Sequence, residues 1–246
     1  MTDKPILFSG PMVRALLDGR KTQTRRVAKI TAVMGDKVGI TSPNESLIEL
    51  EPGEFHKGIF HYESVDALSG PCRLPYAIGD RLWVREAWRT SRHYDDLKPS
   101  EMGGEEPVQY IADGAVYAHA GSVDDLSGRA RPSMFMPRWA SRLTLIVTDV
   151  RVQRVQEISN EDAKAEGCKG DLSRIRQMDL FGASEDDREM MRLMTCGWQF
   201  RDLWDGLNAR RGYGWDVNPW VAAYTFKVHR QNIDQMTDTL QQMRTT

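Results

Sequence analysis

The sequence predicts an α+β domain, and three observations carry that reading. Residues 79–88 (GDRLWVREAW) and 143–155 (LTLIVTDVRVQRV) alternate apolar and polar side chains with the two-residue period of strands. Residues 12–17 and 200–207 place apolar side chains at helical spacing. Residues 31–75 and 91–135, rich in Gly and Pro, read as two loop-rich insertions in one domain spanning residues 1–230.

Taken in order, residues 6–8 form a short strand. Ser9 caps the next helix, and Pro11 occupies its first turn, where a missing N–H costs little. Met12, Val13, Leu16 and Leu17 make its apolar face, and Gly19 ends it. Residues 19–27 leave as an extended segment. In the strand over 79–88, Leu82, Val84 and Glu86 alternate with Trp83, Arg85 and Ala87. Another strand is expected around 108–112. In residues 143–152 the apolar phase slips near Thr148 and Asp149, which predicts a bulge or bend. Ser159, with Asp162 three residues later, resembles a capping box opening a short helix that Gly167 stops. Residues 168–184 read as loop. Residues 185–194 read as one helix, and Phe200, Leu203, Trp204 and Leu207 mark the next. Residues 209–220 form a glycine-rich aromatic and basic loop before a closing strand at 221–228. The polar tail, 231–246, keeps a weak amphipathic helical pattern at Ile233, Met236, Leu240 and Met243.

Composition narrows the function. A chain of 246 residues with 40% hydrophobic residues can fill a core, and a net charge of -2 argues against wholesale electrostatic binding of DNA. No apolar run reaches the length of a membrane span, and the N-terminal residues lack the long apolar region of a signal peptide. Cys72, Cys168 and Cys196 are odd in number and scattered, which suits a reducing cytoplasm. The five histidines lack metal-ligand spacing, so neither a metal nor another cofactor is expected.

The densest local signal is GRKTQTRR, residues 19–26. From residue 14 to 29 there are Arg14, Arg20, Lys21, Arg25, Arg26 and Lys29 against the single acid Asp18. Basic side chains interleaved with threonine hydroxyls suit a segment facing an anionic or polar ligand, and equally an exposed basic strand. As a strand it would place Lys21, Gln23 and Arg25 on one face and Thr22, Thr24 and Arg26 on the other.

In sequence order these pieces resemble the ASCH family, whose fold is a PUA-like, mostly antiparallel β-barrel flanked by helices. The resemblance rests on Gly19, Lys21, Thr24 and Arg26, which fit a G-x-K-x-x-T-x-R pattern after an apolar helix. It rests also on Gly79-Asp80 entering a strand, on the helix ending Ala163 to Gly167, and on the strand at 221–228. The chain is similar as a whole to the longer ASCH-containing proteins of bacteriophages and prophages. The two insertions have no counterpart in small family members. Some of those members are amidohydrolases that remove the acetyl group from acetylcytidine, using a lysine, a threonine and a glutamate. Motif by motif, that set falls on Lys21, Thr24 and Glu166.

The chemistry leaves the roles open. Thr24 needs a base before it can attack a carbonyl, and Lys21 serves if burial or neighbouring cations lower its pKa. A charged Lys21 would instead polarise the carbonyl or stabilise its oxyanion. Glu166 would orient the lysine or carry a proton to the leaving amine. A second reading is an RNA-binding module without turnover. There Arg25, Arg26, Arg81, Arg85, Arg138 and Arg142 neutralise phosphates, and Trp83, Trp139, Tyr213 and Trp215 stack bases. Core packing of Trp83 and Trp139 is the plain alternative. A third reading is a phage accessory protein that uses the insertions and the tail as contact surfaces. The expected partner is therefore a modified nucleoside or RNA, with no membrane.

Overall fold

The computed structural model describes residues 2–28, 37–39, 59–63, 72–117, 125–170, 182 and 184–236. In chain order its regular elements begin β1 (Asp3–Leu7), α1 (Gly10–Leu17), β2 (Gln23–Val27), β3 (Lys37–Gly39), β4 (Ile59–Glu63), β5 (Cys72–Arg73), β6 (Arg81–Arg85) and β7 (Trp88–Arg89). They continue with β8 (Val108–Tyr110), β9 (Val116–Tyr117), β10 (Thr144–Arg154), α2 (Asn160–Ala165), α3 (Glu185–Asn208) and β11 (Trp220–His229). These elements group into two compact units, one of Met1–Gly19, Gly79–Ile146 and Lys227–Thr246, the other of Arg20–Ile78 and Val147–Phe226.

In the first unit β6 is the middle strand. β1 runs parallel to it, with Asp3 opposite Arg81 and Leu7 opposite Arg85, and the start of β10 pairs antiparallel on its other side. Leu82 and Val84 are buried from β6, as their alternation predicts, and so is Trp83. Glu86, placed in the same phase as the apolar pair, is also buried. Arg142 holds both of its carboxylate oxygens at 2.8 and 2.9 Å. The stretch read as a second insertion builds structure of its own. β7, β8 and β9 form a small antiparallel sheet, and Trp88, Met102, Val108, Tyr110, Met136 and Ala140 close into one buried cluster. The tail is anchored here as well. Ile233 and Met236 are buried, and the Asn232 side-chain amide donates to the carbonyls of Arg138, Trp139 and Ser141. Leu240 and Met243, the rest of that amphipathic pattern, lie outside the described residues.

In the second unit the later part of β10, β11 and β2 lie in that order. β11 and β2 are antiparallel, with Val221 opposite Val27 and Thr225 opposite Gln23. The phase slip expected in β10 is present: Leu145 and Val147 are buried, then Val150, while the strand itself continues unbroken. Two helices were expected over 185–207; α3 instead runs through both without a break. A mid-helix glycine such as Gly197 costs about 1 kcal/mol, less than the burial of Phe200 and Trp204 beyond it returns. Ser184 caps α3 in a reciprocal capping box with Asp187. Val155, Ala163, Cys196, Phe200, Trp204 and Val221 form the buried cluster between α2, α3 and the strands. β3, β4 and β5 form a three-stranded antiparallel sheet; most of the rest of the first expected insertion lies outside the described residues.

The class is therefore α+β with mixed pairing. Among the described residues the strands do not close into a barrel, and the β1–β6 pair is parallel within strands expected to be mostly antiparallel.

Candidate functional site

α2 is short and ends on Glu166, its C-cap residue, with Gly167 in the left-handed region at φ 101. A helix end leaves carbonyls without partners inside the helix. Here the segment before β2 supplies the donors. Thr22 N–H donates to the Ala165 carbonyl at 2.8 Å, Lys21 Nζ to the Glu166 carbonyl at 2.9 Å, and Arg20 to the Gly167 carbonyl at 2.6 Å. Positive charge at a helix C-terminus also complements the helix dipole. The RKT of the motif thus caps α2, and an isolated antiparallel bridge joins Lys21 to Glu166.

The side chains repeat the union. Lys21 Nζ donates to Glu166 Oε2 at 2.7 Å and to the Gln23 carbonyl at 2.8 Å. With the Glu166 carbonyl, that provides an acceptor for each of the three N–H bonds of an ammonium. Both residues are buried, Lys21 at 1% exposure and Glu166 at 4%. Burial pulls the Lys21 pKa below the usual lysine range, and the Glu166 carboxylate pulls against it. The other Glu166 oxygen accepts from Arg25 at 3.2 Å.

Arg25 extends the network to Asp162, one helical turn before Glu166, at 2.6 Å. Asp162 also accepts from Arg151 and from the Gln23 amide. Burial raises the Asp162 carboxyl, but the charges of Arg25 and Arg151 outweigh it and hold it below the usual carboxylate range. Burial also pushes the nearby Cys168 thiol up to about 12, so it is not a thiolate nucleophile at neutral pH.

Thr24 is buried in β2. The strand's two-residue repeat puts it on the face opposite Gln23 and Arg25. Its cross-strand neighbour is Tyr224, whose ring meets Tyr76 edge-on at 5.2 Å. Burial raises the Tyr76 hydroxyl, with the charge of Arg26 pulling it down, so Arg26 lies near the same aromatic pair. The structure thus joins Lys21 directly to Glu166 and sets Thr24, which follows Lys21 closely in sequence, on the reverse face of β2 beside Tyr224.

The residues considered for RNA divide between the units. In the second, the Arg25 side chain is fully buried in its carboxylate network, while Arg26 is half-buried. In the first, Arg81 forms two 2.7 Å bonds with Asp3, and Arg138 reaches both Asp3 and Asp234 at 2.6 Å. Trp83 is buried, with the Arg85 guanidinium 4.4 Å from its ring centre. Trp139 is half-buried against the Trp88 cluster.

The sequence reading missed Asp162, Gln23 and Arg151 as members of the network. Two spacings announced the first two: Asp162 and Glu166 are four apart on a helix, and Gln23 and Arg25 two apart on a strand, so each pair shares a face. Asp162 was noticed only as a cap. Its backbone N–H does bond to Ser159 Oγ, but its carboxylate serves the arginines.

Among the described residues, no group of three or more His, Cys, Asp or Glu is placed to hold a metal ion, and no helix is long and apolar enough to cross a membrane. Comparison with protein-family models, with curated proteins and with solved structures returns no match.

Proposed function

We propose that this chain is an ASCH-type, PUA-like protein that acts on nucleosides or RNA, and that it hydrolyses the amide of an acylated, acetylcytidine-like nucleoside. The observation that carries the reading is the buried 2.7 Å pair between Lys21 and Glu166, residues 145 apart in sequence. Amide hydrolysis adds water across the C–N bond. An oxygen nucleophile attacks the carbonyl carbon, the resulting oxyanion needs positive charge, and the leaving nitrogen needs a proton. In this reading Lys21 supplies the charge, Glu166 passes the Thr24 hydroxyl proton to the leaving nitrogen as the C–N bond breaks, and water then hydrolyses the acetyl–Thr24 ester. Thr24 is the candidate nucleophile, and because β2 turns it to the face opposite Gln23 and Arg25, this reading requires a carbonyl that reaches both Thr24 and Lys21.

A second reading has one observation in its favour. The ammonium of Lys21 is saturated with acceptors, so the same pair serves as a clamp between β2 and α2 in a module that binds nucleoside or RNA without changing it. A chromatographic assay separates the two. Purified protein is incubated with acetylcytidine and related acylated nucleosides, beside Lys21→Ala and Thr24→Ala variants checked for folding by circular dichroism. The first reading expects deacylation by the wild type, lost in both variants. No turnover by folded wild type overturns it and favours the clamp.

A further inference from the structure

The first unit contains a cavity of about 440 Å³ that the Lys21 site does not involve. Its volume falls within the range of about 300–1,000 Å³ usual for small-molecule sites. Its walls combine three chemistries. Trp139 and Tyr117 give aromatic surface, Gln231 and Gln235 give side-chain amides, and Arg230 gives a cation. The Trp139 indole N–H is buried with no acceptor among the described residues. Gly104, at φ +100, packs against that ring; a Cβ there would lie 3.5 Å from it.

The other charged and polar walls are already committed. Arg142 is held between Glu86 and Asp113, Asp234 accepts from Arg138, and the Asn232 amide is spent on three carbonyls. Arg230 differs: among the described residues it donates to the Leu17 carbonyl and to no carboxylate. An anion entering the cavity therefore meets a cation whose charge is not balanced by a carboxylate among the described residues. A flat ring finds two aromatic residues, and its polar edge finds two glutamines.

We propose that this cavity binds a nucleoside monophosphate, with the base against Trp139 and Tyr117, its edge read by Gln231 and Gln235, and the phosphate on Arg230. This goes beyond the hydrolytic reading, because none of these residues belongs to the Lys21 network. The test is calorimetric titration of the full chain with AMP and CMP, beside adenosine and ribose 5-phosphate. The expected result is that a mononucleotide binds about tenfold or more tighter than either fragment. Arg230→Ala should erase the advantage of AMP over adenosine, and Tyr117→Ala should weaken both. Gln235→Ala, at an exposed position, should change the preference between AMP and CMP without disturbing the fold. Lys21→Met should leave binding unchanged. No binding of either mononucleotide at millimolar concentration overturns the proposal. So does binding that survives Arg230→Ala and Tyr117→Ala, or that is lost in folded Lys21→Met.

Discussion

At Lys21 the chain takes an ammonium out of water and gives it three acceptors in return. A buried pair of this kind punishes the loss of one partner far more than the loss of both, because a lone charge is left without solvent. Lys21→Met should therefore lower unfolding free energy by about 3–5 kcal/mol. The double variant Lys21→Met/Glu166→Leu should recover much of that, and a urea-denaturation cycle over the four proteins measures the coupling. Asp162 supplies a pH signature. Its folded pKa lies below the unfolded value of about 3.9, so between the two the unfolded chain binds more protons. Its stabilisation is complete above the unfolded pKa and is lost as pH falls through the folded one. Asp162→Asn should be less stable than wild type at neutral pH and lose less on acidification below about pH 4. Acid titrations of both proteins, followed by circular dichroism, check this.

At the scale of elements, α2 matters more than its six residues suggest. It is pinned by the 20–22 segment at its C-terminus and packs on α3. Just beyond it the chain passes so close to α3 that Gly170, at φ +71, has the Arg192 carbonyl 2.5 Å from where a Cβ would stand. Gly170→Ala should cost about 1–3 kcal/mol, seen as a lower thermal midpoint, whereas Gly206→Ala, with open space around it, should be neutral or stabilising. Much at this level was legible in the sequence. The alternation in 79–88, the helical face at Met12 to Leu17 and the cap at Ser159 all foretold their elements. The unbroken α3 was not legible, because local propensity at Gly197 is weak beside the burial of Phe200 and Trp204, which depends on partners distant in sequence. Nor was the buried cluster of the 91–135 stretch: the strand expected around 108–112 is present as β8, but the partners of Val108 and Tyr110 in that cluster, Trp88, Met102 and Met136, share no local pattern with them.

At the scale of the molecule, several of the arginines considered for phosphates are committed to carboxylates. Arg25, Arg81, Arg138 and Arg142 all bond carboxylates, in a chain whose net charge is -2. A protein that neutralises many phosphates shows affinity falling steeply with salt. This one should show a shallow dependence, with a slope near that of about two phosphates or fewer, measured by fluorescence anisotropy on a single-stranded RNA across a salt series. A steep slope would favour an RNA-binding role over action on single nucleosides. The Lys21–Glu166 union was legible through the family resemblance, since no local pattern links residues so far apart. The reverse-face setting of Thr24 followed from strand period alone. The most direct test of the central claim is acetate release from acetylcytidine by wild type and by Glu166→Gln, each at a temperature where circular dichroism shows it folded. The account predicts turnover by wild type and a loss of about 100-fold or more in the variant. Equal rates in the two proteins would contradict it.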